Sequence, residues 1–118
     1  MVEVIFGDQV NRVTEVTAAS EEQTLDLGLQ CNSVTLVLKL IAWESPGSSP
    51  VPSLEVQIET SMKLRGGDWL PIGSFDPQGK LNDPALRTFS NLLRYVRWRV
   101  ITFEGAAAIT FTLEGMAR

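Results

Sequence analysis

The sequence predicts an all-β fold, an antiparallel β-sandwich of jelly-roll or related Greek-key type with about eight strands. Three observations carry this. Apolar residues alternate with a period of two along most of the chain, the strand period rather than the helical one. The strand-like runs are short and separated by turn-rich segments with no βαβ alternation. The last two runs, Arg94 to Phe103 and Ala106 to Leu113, are β-rich and meet at Glu104-Gly105.

From the N-terminus, Val2 to Phe6, Arg12 to Thr17 and Gln23 to Leu27 are short strand candidates, separated by Gly7-Asp8 and by Ala18 to Glu22. The run Val34 to Trp43 is apolar at even positions and mixed at odd ones, the pattern of a central strand covered on part of its second face. Lys39 belongs at its rim. Glu44 to Pro52 holds three prolines, which remove ladder donors, so it reads as a flexible Ser/Pro-rich loop.

Leu54, Val56, Ile58, Thr60 and Met62 alternate with Glu55, Gln57, Glu59, Ser61 and Lys63, which predicts a strand with one wet face. Arg65-Gly66-Gly67-Asp68 is a turn. It leads into Trp69 to Phe75, where Pro71 points to an edge strand. Asp76 to Asp83 reads as loop. Pro84 to Asn91 fits an extended segment, with a short helix capped by Asp83 as the competing reading.

The acidic-Gly connection Glu104-Gly105 predicts a two-residue type I′ hairpin. Pairing Phe103 with Ala106 then sets Val100 opposite Ile109, Trp98 opposite Phe111 and Val96 opposite Leu113. On the other face Arg99 meets Thr110, Arg97 meets Thr112 and Tyr95 meets Glu114. Trp98 and Phe111 are therefore expected in the core.

A chain of 118 residues fits a single domain, residues 1–118, which needs no metal or disulfide to fold. The single cysteine, Cys31, excludes an internal disulfide, and its apolar flank predicts a buried or half-buried thiol. The chain contains no histidine, so Ser-His and Cys-His nucleophilic arrangements and common zinc sites are excluded. Glu55 and Glu59 on one strand face would stand roughly 13 Å apart, too far for a glycosidase pair. Scattered loop aspartates form no alternating calcium loop. An enzyme is not expected, and neither is a metal or other cofactor.

The net charge of −4 gives no excess of cations for nucleic acid, and the local cluster Arg94, Arg97 and Arg99 shares its predicted face with Thr110, Thr112 and Glu114. No signal peptide pattern and no membrane-spanning apolar stretch is present, so a cytoplasmic or particle-associated protein is expected. The candidate partner-binding residues are aromatic or arginine, types enriched where partners dock. They are Tyr95, Arg97 and Arg99 as an exposed stripe, Trp69 after its turn, and Trp43 at the end of the central strand.

The order Ile58-Glu59-Thr60-Ser61, glycine turn, Asp68-Trp69, Ile72-Gly73-Ser74-Phe75 and Leu93-Arg94-Tyr95-Val96-Arg97 resembles small β-sandwich structural proteins of tailed phages and phage-derived particles. It is more distantly similar to the discoidin or galactose-binding jelly roll, from which the chain departs by its short length and by lacking a cysteine pair. The phage-like resemblance implies head decoration, head completion or a shell role, carried by contacts with itself or other particle subunits. The alternative expectation is a carbohydrate-binding module. There Trp69 or Trp43 would stack on a sugar, and Asp68 or Arg65 would bond its hydroxyls.

Overall fold

The computed structural model describes residues 2–5, 10–28, 30–44 and 52–118. Their strands are β1 (Val2–Ile5), β2 (Asn11–Val13), β3 (Thr17–Ala18), β4 (Leu25–Asp26), β5 (Val34–Glu44), β6 (Ser53–Ser61), β7 (Leu70–Ser74), β8 (Ala85–Phe89), β9 (Tyr95–Glu104) and β10 (Ala108–Ala117), with a 3-10 turn at Glu21–Gln23. Sheet A runs β1-β10-β5-β8, and β2 also pairs with β10; sheet B runs β3-β9-β6-β7, and β4 also pairs with β9. All these ladders are antiparallel. β1 and β2 are two pieces of one lane along β10, and β3 and β4 two pieces of one lane along β9. Ten segments thus occupy eight lanes. Among the described strands only β6 and β7 form a local hairpin; the other links between lanes cross from one sheet to the other, which is jelly-roll connectivity.

Alternation fills the space between the sheets. Val34, Leu36, Leu38 and Leu40 of β5 and Ile109, Phe111 and Leu113 of β10 face Leu54, Val56 and Ile58 of β6 and Val96, Trp98 and Val100 of β9, all buried. Each such side chain contributes roughly 1.5–3 kcal/mol of burial. Two edge-to-face ring pairs lie among them, Trp98 with Phe111 at 5.2 Å between centroids and Phe75 with Phe89 at 5.5 Å.

The expected C-terminal hairpin is not formed. β9 pairs with β6, setting Trp98 beside Ile58, Arg97 beside Glu59 and Arg99 beside Gln57. β10 pairs with β5, setting Phe111 beside Leu40 and Thr112 beside Lys39. A type I′ turn needs positive φ at both central residues, and here Gly105 (φ 78°) has it while Glu104 does not. The chain instead bends over residues 105–107, and the Ala107 N–H donates to the Glu44 carbonyl at 2.9 Å, carrying the chain from sheet B to sheet A. Hairpin and arch bury the same alternate residues, so the period could not tell them apart. Trp98 still meets Phe111, but across the core. Nuclear Overhauser contacts between backbone protons are expected to join the Val56 and Val100 neighbourhoods; a continuous ladder of such contacts from Val100 to Ile109 would contradict the arch.

Three register shifts interrupt the described ladders, one of them at Ile72 of β7, between the Ile58–Gly73 and Glu59–Pro71 pairs, and the other two on β5 and β9. Ladder pairing jumps from Thr110–Ala42 to Phe111–Leu40, leaving Ile41 as the extra residue of β5. The flip takes Trp43 off the mixed face, sets it beside Ile109 and packs it against the core. A second bulge, at Ile101, separates the Glu55–Thr102 and Val56–Val100 pairs. Pro84 to Asn91 resolves as a strand, β8, and Pro71 does lie on an edge strand. Met62 does not continue the apolar stripe of β6 and is exposed. Cys31 is a half-buried free thiol against the core. The Ser/Pro-rich loop at 44–52 lies, from Ser45 to Val51, outside the described residues.

Candidate functional site

Sheet B presents β9 and β6 outward as paired rows: Tyr95 with Ser61, Arg97 with Glu59, Arg99 with Gln57, Thr102 with Glu55. The wet face expected of β6 is largely covered here. Glu59 is 6% exposed and Ser61 1%. Arg97 donates from Nε to Glu59 Oε1 at 2.8 Å, and its guanidinium lies 4.3 Å from the centre of the Trp69 ring. Glu55 accepts from Ser74 and Thr102 hydroxyls at 3.2 Å each. The ionic and stacking capacity of Arg97 is thus taken up inside the chain. Arg97 is consequently half-buried, as is Tyr95, and of the predicted stripe Arg99 alone is exposed.

Exposed ion pairs pin short segments to both sheets. Arg94 bonds both Asp26 oxygens at 3.0 Å and lies 5.1 Å over the Tyr95 ring. Arg65 bonds both Glu21 oxygens at 2.8 Å, and Arg12 pairs with Glu44 at 2.6 Å. The hydrogen bonds from Arg94, then from the Gly28 N–H, hold the Asp26 carboxyl below its ordinary 3.8. Arg65 and Arg12 likewise hold Glu21 and Glu44 below 4.5. A carboxyl depressed in the folded state stabilises above its unfolded pKa, and that contribution is lost as pH falls through the folded value. The urea midpoint is therefore expected to drop on acidification from neutral pH to below 3.8, modestly because the pairs are solvent-screened. A midpoint that rises over that range would contradict this.

A cleft of about 350 Å³ opens where β6 runs into the Gly66-Gly67 turn, walled by Ser61, Lys63, Asp68, Leu70 and Leu93 among others. Asp68 reaches it, while Trp69 is not among its walls. No group of three His, Cys, Asp or Glu side chains suited to a metal ion converges among the described residues. Nor is any helix there long and apolar enough to cross a membrane.

The outer face of sheet A was not singled out by sequence. Across one row lie Glu114, Val37 and Leu86; in the next, Met116, Thr35 and Thr88; beyond, Thr112 and Lys39. Leu86 is 70% exposed and Met116 45%. The Thr35 and Thr88 hydroxyls bond each other at 2.9 Å. Carrying the β10 alternation past Leu113 would have placed Met116 outward. Leu86 was obscured by a spacing that also suits a helix.

The sheet edges are blunted. β7 carries Pro71, which lacks an N–H, and the first lanes of both sheets are broken into short pieces. On β8, Arg87 points inward beside Leu36, donates to the Ser74 carbonyl of β7 and stacks on Phe89 at 5.5 Å. An inward charge on an edge strand opposes pairing with another strand.

By fold, this is an all-β jelly-roll sandwich. Comparison with protein-family models, with curated proteins and with solved structures returned no match.

Proposed function

We propose that this chain is a non-enzymatic structural subunit that acts by protein–protein contact, associating with itself or docking on a larger particle. The observation that carries the reading is the exterior of sheet A, where Leu86, Val37 and Met116 stand among threonines with few charges. Clustered apolar side chains of this kind, rimmed by polar ones, mark interaction surfaces. With its edges blunted and Arg97 engaged internally, the protein docks face-on rather than by strand addition or through an arginine stripe. The phage-like resemblance supports head decoration, head completion or shell formation as the setting.

The carbohydrate reading draws less support. One face of Trp69 is covered by Arg97, Arg65 is held by Glu21, and the cleft that contains Asp68 offers no aromatic platform. The discriminating experiment is a glycan array probed with the intact protein and with Asp68→Ala. No retention is expected. Retention of a defined glycan, lost in Asp68→Ala while Leu86→Lys leaves it unchanged, would overturn the structural reading.

A further inference from the structure

We infer that the occupant of sheet A's outer face is a second copy of this chain, a proposal that rests on the assembly reading above. A two-fold interface brings one patch against itself, so its charges must be complementary under the rotation. The positions of Lys39 and Glu114 meet that condition. On its three principal strands β5, β10 and β8, the outward charged residues near Val37 are one cation, Lys39, and one anion, Glu114. Neither makes an ion pair among the described residues. Glu114 pairs across the ladder with Val37, two residues before Lys39, so the two charges sit diagonally on neighbouring strands. Rotation about an axis between them sets Lys39 of each copy against Glu114 of the other, twice per dimer, around Val37, Leu86 and Met116.

A dimer built by joining β8 edges is opposed by Arg87, which is turned inward and bonded to β7. Face-to-face packing remains, with the two sheet A exteriors in contact.

The test is light scattering behind a sizing column from micromolar to millimolar concentration, on the intact chain and on Lys39→Glu, Glu114→Lys and the double exchange. Each single reversal turns two attractions into two repulsions and is expected to weaken the dimer by about tenfold. The double exchange restores it. Lys39→Gln and Glu114→Gln weaken it less and serve if a reversal disturbs folding, which circular dichroism reports. A discrete oligomer indifferent to all these changes overturns the inference and leaves the assembly reading standing. So does a double exchange as weak as the singles. A strict monomer throughout overturns the inference, while the assembly reading itself then stands or falls on the glycan array.

Discussion

Gly115→Ala is expected to destabilise the protein by at least about 3 kcal/mol, read as a fall of roughly 10–15 °C in Tm. Gly115 lies on β10 where β5 comes close. A Cβ there would stand 1.8 Å from the Thr35 carbonyl oxygen and 2.9 Å from the Leu36 Cα. Both obstacles are backbone, so relief requires the central pair of sheet A to separate, disturbing the ladder that seats Leu36, Leu38 and Leu113. Glycine in a strand interior commonly marks such a close approach. The control is Gly73→Ala on edge strand β7, whose added Cβ would meet Phe89 at an ordinary 3.4 Å. It is expected to cost under about 1 kcal/mol, as surface changes without a clash do. Equal effects from the two substitutions would contradict the β5–β10 register.

Arg97→Met is expected to cost about 3 kcal/mol, because it leaves the Glu59 carboxylate, 6% exposed, without its charged donor. Loss of the guanidinium over Trp69 adds to this by a fraction of a kcal/mol or more. Removing both charges in Arg97→Met/Glu59→Leu should recover most of the loss, since well-packed apolar replacement of a buried pair is often close to neutral. Urea unfolding of the two singles and the double forms the cycle. Additive losses would mean the two side chains do not interact and that Arg97 is free to bind a partner, as the sequence alone had led one to expect.

Period-two alternation reads the core well, because burial depends only on which side a residue takes. Leu36, Leu38, Ile58, Trp98 and Phe111 all lie where alternation puts them. Pairing is another matter. The Arg97–Glu59 contact exists because β9 lies beside β6, residues far apart in sequence, and nothing local encodes that neighbour. The same blindness let an arch pass for a hairpin at Glu104-Gly105, where the positive φ of one glycine serves either path. Bulges defeat alternation directly, and the extra residue Ile41 is what turned Trp43 inward. Of the five aromatic and arginine candidates, Arg97 and Trp69 stack on each other, Trp43 packs on the core, Tyr95 lies under Arg94, and Arg99 is left to solvent. Residue-type enrichment at interfaces says nothing of intrachain partners, and these took up what the sequence left available.

The central claim is that the protein works through contact with other protein subunits. The solution mass of the unmodified chain tests it most directly, measured by light scattering across a wide concentration range. A mass rising with concentration to twice that of the 13.0 kDa chain, or to a larger closed assembly, is the predicted result. A mass fixed at that of one chain at every concentration, together with retention of a glycan, would contradict it.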